Sequence, residues 1–263
     1  MSSIGAQRSP EPRPGLSHPH PQDPPQLMTS AVIVAAGRGT RFGPDRDKLF
    51  LEIRGLPVVG HAWRRFDRHS GVDEVVLVVR PGLEQAFEEL GRQIGATKPY
   101  RLAHGGAERQ DSVWNGLEAI SPAAQVVLIH DGARPCVAPE LITGCIAAAR
   151  AHGAAVAAQP VTDTIKESCD GATIARHLDR SRLWSVQTPQ TFQVPILRRA
   201  LAEVRRQGAR VTDDTAACEL IGQPVQLVPS RAPNPKVTLP EDLPLIEAWI
   251  DAAEPKPPTA RGG

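Results

Sequence analysis

The sequence is poor in several features that would steer it toward common functional classes. It holds only four cysteines, Cys136, Cys145, Cys169 and Cys218. None fall at a C-x-x-C or zinc-binding spacing, so they read as scattered reduced thiols in a cytoplasmic protein. No apolar run is long enough to span a bilayer. Residues 1–27 lack the apolar core of a secretory signal. The formal net charge is only +1, which removes any general case for nucleic acid or a membrane surface as partner. Two nucleotide-binding loops are also missing. The Walker pattern G-x-x-x-x-G-K-[ST] is not met between Gly37 and Gly43. The dinucleotide fingerprint G-x-G-x-x-G begins at Gly37 and Gly39 but meets Phe42 where the last glycine belongs, and Gly43 arrives one residue late.

What is present is a chain of 263 residues, 41% hydrophobic, enough to build the core of one α/β domain with tails. Residues 1–27 are rich in Pro, Ser, Gln and His. They have too little apolar surface to offset the entropy of ordering, so a disordered tail is expected. Residues 252–263 read as a second tail, which leaves 28–251 as the folded domain. Within it, apolar strands at 31–34, 74–79, 100–102 and 125–130 alternate with helical spacing at 58–68, 81–91 and 111–120. That rhythm predicts βαβ units and a mostly parallel sheet. Further on come a helix over 139–152, strands at 154–158, 183–188 and 225–228, and helices at 194–207, 216–221 and 245–249. Ligands of such sheets gather at the carboxyl ends of the strands.

The organising stretch is Ala31-Val32-Ile33-Val34-Ala35-Ala36-Gly37-Arg38-Gly39-Thr40-Arg41-Phe42, with Lys48 beyond it. A buried strand runs into a small-residue loop whose N–H groups suit phosphate. Arg38, Arg41, Arg46 and Lys48 surround it with positive charge. Gly105-Gly106 follows the third strand of this series and His130-Asp131-Gly132-Ala133-Arg134-Pro135 the fourth, so the three loops should converge on one edge. At such a strand end Asp131 either faces a metal ion or a ribose hydroxyl, or caps the helix that begins near Pro139. Arg134 is a fork donor suited to phosphate, or a surface ion pair. In 160–179, Asp170-Gly171 lies between the β-prone runs 161–166 and 172–175, which signals a hairpin. It either protrudes or folds back on its own domain. Thr212-Asp213-Asp214-Thr215 precedes a helix and is explained by capping alone, unless it also serves the chemistry. Lys236 follows a proline turn and is either merely exposed or a substrate group.

Several separated stretches occur here in an order that resembles one family. They are A-A-G-x-G-x-R with Lys48 after it, Gly105-Gly106-Ala107-Glu108-Arg109-Gln110-Asp111-Ser112-Val113, the His130–Pro135 run, Thr188-Pro189-Gln190 and Val211-Thr212-Asp213-Asp214. From about Ser30 to about Ile250 the chain is similar to the 2-C-methyl-D-erythritol 4-phosphate cytidylyltransferases of the non-mevalonate isoprenoid pathway. The resemblance implies a Rossmann-like, three-layer nucleotidyltransferase domain with a mostly parallel sheet. It also implies a protruding β-hairpin arm that embraces a second subunit, giving a homodimer.

The implied reaction is in-line attack by a polyol phosphate oxygen on the α-phosphorus of CTP, with pyrophosphate leaving and magnesium bridging the triphosphate. By resemblance, Arg41 and Lys48 stabilise the transition state. Ala35, Ala36, Gly37, Gly39, Gly105, Gly106, Ser112 and Asp131 serve the nucleotide. Asp131, Arg134, Thr188, Thr212 and Lys236 hold the polyol phosphate, joined by Thr164 and Arg180 from the arm of a partner subunit. Asp131 is the one protein group offered to the metal. Three departures stand out: Leu49 after the lysine, Ala107 where an acid is common after the glycines, and Gly132 for a common alanine. None removes a charged catalytic group. Ribitol 5-phosphate cytidylyltransferases share nearly all these motifs. A sugar-1-phosphate or molybdopterin nucleotidyltransferase fits the second half less well. A non-catalytic nucleotide-binding module would not need Arg41, Lys48, Arg134 and Lys236 together.

Overall fold

The computed structural model describes residues 27–37 and 47–253. Its centre is a seven-stranded sheet, and apart from it β2 (Glu52–Ile53) pairs antiparallel with β3 (Leu56–Pro57). β1 (Thr29–Val34) lies between β4 (Glu74–Val79) and β6 (Val126–Asp131), parallel to both. Outward from β4 comes β5 (Tyr100–His104), also parallel. On the other side β10 (Trp184–Gln193) runs antiparallel to both β6 and β7 (Ala154–Pro160), and β11 (Gln226–Pro229) closes the edge parallel to β7. The sheet order is therefore β11-β7-β10-β6-β1-β4-β5. One antiparallel strand in an otherwise parallel sheet agrees with the mostly parallel expectation.

Period-two alternation along the strands splits the core into two layers. Ala31, Ile33, Val75, Leu77 and Leu128 face one side. There they meet α1 (Val58–Asp67), α2 (Glu84–Ile94), α4 (Pro139–His152) and α7 (Leu243–Ala253) through residues such as Trp63, Phe66, Phe87, Ile142 and Ile246. Val32, Val76, Val78, Val127 and Ile129 face the other side. They meet α3 (Arg109–Ala119), α5 (Val194–Gln207) and α6 (Asp214–Glu219) through Val113, Leu117, Leu197 and Ala217. Phe66 is fully buried, and its truncation to alanine would cost about 3–5 kcal/mol. Gly116 lets α3 sit close to the sheet, since a Cβ there would lie 2.5 Å from Val32 Cγ1. The result is the three-layer α/β/α domain expected.

The differences from the sequence reading have local causes. The helix expected within 81–91 runs over Glu84–Ile94: Gly82 takes a left-handed φ of +89° before it, and Gly95 ends it at φ +63°, a turn beyond the expected limit. The strand expected to stop at 188 continues to Gln193. Pro189 has no N–H to give the ladder, the register shifts between Val186 and Gln190, and pairing then resumes. The arm is shorter in strand than expected. β8 (Lys166–Glu167) and β9 (Arg176–His177) pair only with each other. Asp170-Gly171 sits inside the loop between them, not as a two-residue turn. Asp170 folds that loop by accepting from the Ala172 N–H, the Thr173 N–H and the Thr173 hydroxyl. The hydrogen bonds of Ala175 N–H to Glu167 and of Leu178 N–H to Ile165 extend the hairpin at both ends.

Candidate active site

The carboxyl ends of β1, β5 and β6 meet at one edge, as their order in the sheet requires. A cleft of about 470 Å³ opens there, lined among others by Ala36, Gly37, Lys48, Gly106, Ser112, Asp131 and Lys236. Seven of the positions singled out in the sequence are thus brought together. Ala35 is buried just before them, and its N–H is held by the carbonyl of Val78. Gly105 allows a close approach between loops. A Cβ on it would lie 2.2 Å from the Cβ of Ala36, so the first and second loops touch only because residue 105 has no side chain. Ser112 braces the second loop. Its Oγ accepts from the Gly106 N–H at 3.0 Å and donates to the Glu108 carbonyl at 3.2 Å.

Positions 38–46, with Gly39 and Arg41, lie outside the described residues. The residues flanking them are tied by Arg80, directly after β4. One guanidinium nitrogen donates to the Gly37 carbonyl at 3.1 Å and the other meets the carboxylate of Asp47. Asp47 in turn caps the short 3-10 turn Lys48–Phe50 by accepting from the Leu49 N–H. Lys48 stands at the start of that turn, and its Nζ donates to the carbonyl of Val237 at 2.9 Å. Sequence reasoning passed over Arg80. Its signal was its place, one residue past a buried parallel strand on the same edge as the other loops.

Asp131, the last residue of β6, is the electrostatic centre of the cleft. Lys236 Nζ lies 2.7 Å from its Oδ2, Arg109 Nε 3.5 Å from its Oδ1, and Arg134 Nε 3.9 Å from Oδ2. Burial opposes its charge. Lys236, Arg109 and Arg134 outweigh that and hold the carboxyl well below the usual carboxylate range. Asp131 does not cap α4, as one reading allowed. The residue at that N-cap is Ala138, and the turn relies on Pro139 at its first position. Arg134 is no surface pair either. It is largely buried, donating from Nη1 to the Asn234 carbonyl at 2.7 Å.

Beneath Asp131 lies a polar pedestal. The Asp131 N–H donates to the Thr188 hydroxyl at 3.1 Å, and that hydroxyl reaches His130 Nδ1 at 3.0 Å. His130 Nε2 reaches the Arg134 carbonyl at 3.1 Å. Burial pushes His130 down to about 4, so it is neutral near pH 7. A neutral ring has one N–H, and a carbonyl can only accept. The proton therefore sits on Nε2, and the Thr188 hydroxyl donates to Nδ1. Thr188 thus stands behind the cleft rather than on its wall. Asn234 clamps the same segment by donating to the Thr188 carbonyl at 2.8 Å.

The remaining positions fall elsewhere. Thr212 is exposed ahead of α6, and the helix cap is Asp213, whose carboxylate accepts from the Ala216 N–H at 2.9 Å. Asp214 is fully buried and meets Arg109 Nη1 at 2.9 Å. Burial raises its pKa against the pull of Arg109. Capping therefore accounts for Asp213 but not for Asp214. In the sequence Arg109 is one residue of the Gly105–Val113 motif, with nothing beside it to mark either partner. Thr164 and Arg180 are exposed on the arm segment and do not line this chain's cleft, and Arg180 Nη1 donates to the Thr162 carbonyl at 2.5 Å.

A three-layer sheet domain with a cationic cleft of small residues at its strand ends is suited to the phosphates of a nucleotide. Comparison with known proteins carries this to a family. The family described as 2-C-methyl-D-erythritol 4-phosphate cytidylyltransferase (IspD) matches residues 29–252. A protein of that name from Pelotomaculum thermopropionicum is 44% identical over 226 residues, covering 86% of this chain and 95% of its own. One from Alkaliphilus oremlandii is 40% identical over 220 residues, covering 83% and 93%. Among solved structures, the enzyme of that name from Thermus thermophilus superposes with a TM-score of 0.71 at 34% identity, covering 86% of this chain and 100% of its own. The 4-diphosphocytidyl-2C-methyl-D-erythritol synthase from Anaerococcus prevotii superposes with a TM-score of 0.76 at 28% identity, covering 86% and 99%. This chain belongs to the 2-C-methyl-D-erythritol 4-phosphate cytidylyltransferase family.

Proposed function

We propose that the chain transfers a cytidylyl group from CTP to 2-C-methyl-D-erythritol 4-phosphate, giving 4-diphosphocytidyl-2-C-methyl-D-erythritol and pyrophosphate. Family membership over residues 29–252 supports the reaction. The structural observation that carries it is the meeting of Lys48, Lys236 and the ionised Asp131 in one cleft lipped by Gly37 and Gly106. The nucleophile is a phosphate oxygen, already an anion, so the site needs no general base. It needs cations that draw two anions together and neutralise charge as the pentavalent centre forms. We assign Lys48, with Arg41 from the adjoining segment, to that charge. Gly37, Gly105, Gly106 and Ser112 receive the nucleotide, and Lys236 and Arg134 receive the polyol phosphate.

Magnesium fits this site as a passenger of the triphosphate. Among the described residues no three His, Cys, Asp or Glu side chains gather into a cage. Once Lys236 turns from Asp131 Oδ2 to the phosphate, that oxygen would be the one protein donor offered, which suits a hard cation that keeps most of its waters. Its chemistry there would be to neutralise triphosphate oxygens. The arm suits a homodimer: it is exposed, pairs only with itself and presents Ile174 to solvent. Thr164 and Arg180 would then serve the cleft of the opposite subunit. Free thiols at Cys136, Cys145, Cys169 and Cys218 support a reducing, cytoplasmic setting. Among the described residues no helix is long and apolar enough to cross a membrane.

The test is pyrophosphate release with each of the four common nucleoside triphosphates, against methylerythritol phosphate and ribitol 5-phosphate as acceptors. Turnover with CTP and methylerythritol phosphate is expected to exceed every other pairing. Preference for ribitol 5-phosphate would overturn the acceptor, and preference for another triphosphate would overturn the donor.

A further inference from the structure

Of the three cations around Asp131, the nearest two take different oxygens. Lys236 on Oδ2 sits on a flexible stem with a side chain 38% exposed. Arg109 on Oδ1 is different, because its other end is fastened. Its Nη1 is held by Asp214, whose carboxylate is buried. Asp214 is itself set by the main chain: its N–H donates to Gln190 Oε1 at 2.9 Å, and Gln190 Nε2 donates to Asp213 at 3.0 Å. Gln190 lies in β10, paired with Ile129 of β6. A rigid strand therefore fixes Asp214, Asp214 fixes Arg109, and Arg109 faces Asp131.

This arrangement costs something that capping does not explain. Asp214 Oδ1 is buried without a hydrogen-bond partner among the described residues. An unmet buried polar atom calls for a reason, and the bond of Asp214 Oδ2 to Arg109 supplies one. Arg109 also lines the cleft. Without Asp214 it would be a loose cation beside the substrate anions rather than a fixed partner of Asp131.

We propose that the Asp214–Arg109 pair is a positioning device that keeps a permanent cation on Asp131, so that Lys236 is released to the phosphate monoester entering the cleft. With Lys236 as its only near cation, Asp131 would be left buried and uncompensated when the lysine turned away, and would hold it back. With Arg109 fixed at 3.5 Å and Arg134 at 3.9 Å, the carboxylate stays compensated. Arg134 cannot serve alone, since it stands further off at 3.9 Å and is itself assigned to the entering phosphate. The inference rests on the assignment of Lys236 to the polyol phosphate made above. Arg109 and Asp214 act through Lys236 and are positioning residues.

The experiment is a mutant cycle with Arg109→Gln, Lys236→Gln and the double variant, all as full chains. Alongside it runs Arg109→Gln/Asp214→Asn, in which the buried carboxylate loses its charge together with its partner. The readouts are the KM for methylerythritol phosphate, calorimetric affinity for CTP with magnesium, and thermal unfolding. Arg109→Gln and the paired variant are each expected to raise that KM about tenfold, the size of one lost charge-assisted contact. CTP affinity should stay within about threefold, and the Arg109→Gln/Lys236→Gln double should be no worse than Lys236→Gln alone. Multiplicative effects of Arg109→Gln and Lys236→Gln would overturn the proposal. So would an unchanged KM in the paired variant, or equal losses for CTP and acceptor. A parent chain that does not use methylerythritol phosphate would instead bring down the functional reading beneath it.

Discussion

Lys48 donates to the carbonyl of Val237 at 2.9 Å across 189 positions of sequence. That one contact joins the first nucleotide-side loop to the segment carrying Lys236, so two lysines from opposite ends of the domain approach a single cleft. It also holds the Lys48 ammonium in place before any substrate arrives, which lowers the entropy cost of using it in the transition state.

Lys48→Ala is therefore expected to cut turnover by roughly 100-fold or more, the loss typical of a transition-state donor. Thermal unfolding should change little, because Lys48 is a partly exposed side chain at the cleft and not part of the apolar core. Steady-state pyrophosphate release and a melting curve on the same preparation check both halves. Near-normal turnover would remove Lys48 from the catalytic assignment.

Thr188→Val should destabilise the fold as well as the site. The hydroxyl is shared by the Asp131 N–H and His130 Nδ1, and an isosteric valine leaves both without it. Leaving buried polar groups unmet costs about 1–3 kcal/mol, a fall of roughly 2–10 °C in Tm for a domain of this size. Urea denaturation should show the same loss at an unchanged slope. An unchanged midpoint would mean that the pedestal is not what holds Asp131.

The pH dependence of stability has a defined sign. His130 is held down to about 4 by burial, against an ordinary value of 6.5. Below pH 6.5 the unfolded chain takes up a proton that the folded one refuses. Stability is thus complete above that point, falls as pH drops toward 4, and stops falling from this cause below it. The total is roughly 3 kcal/mol. His69, also lowered chiefly by burial, acts in the same sense. Asp131, lowered by its cations, contributes stability that is present above its ordinary 3.8 and lost only below it, so the two windows separate. Chemical denaturation from pH 7 to 4 should give a shallower slope for His130→Asn than for the parent. Equal slopes would place the titration elsewhere.

The arm is expected to matter for assembly rather than for the core. Replacing residues 163–178 by a short linker should leave the melting of the isolated domain nearly unchanged, since the segment is largely exposed. Sedimentation should show a dimer for the parent and a monomer for the deletion, with turnover greatly reduced. A parent that is monomeric at micromolar concentration would sink the dimer, and full activity in the deletion would return Thr164 and Arg180 to the surface.

Much of this was legible along the chain, because it rests on local rules. Period-two and 3.6-residue patterning set β4, α4 and α5 at their observed bounds, Glu74–Val79, Pro139–His152 and Val194–Gln207. The βαβ rhythm placed the loops after β1, β5 and β6 on one edge, where Gly37, Gly106 and Asp131 meet. The ends that shifted are those where one residue's backbone outweighed the pattern, as at Gly82 before α2 and Pro189 within β10. The electrostatics were not legible. Arg80, Arg109 and Asp214 are ordinary charged residues in sequence, and their partners lie far along the chain: Asp47 for Arg80, Asp131 and Asp214 for Arg109. Whether an aspartate caps a helix, as Asp213 does, or sits buried against an arginine, as Asp214 does, depends on which way one Cβ points in the packed molecule. Side-chain chemistry and short-range periodicity determine the elements and the edge where they open. The charge network at that edge exists only once β6, β10, α3 and α6 are packed, because burial turns weak surface charges into strong mutual constraints.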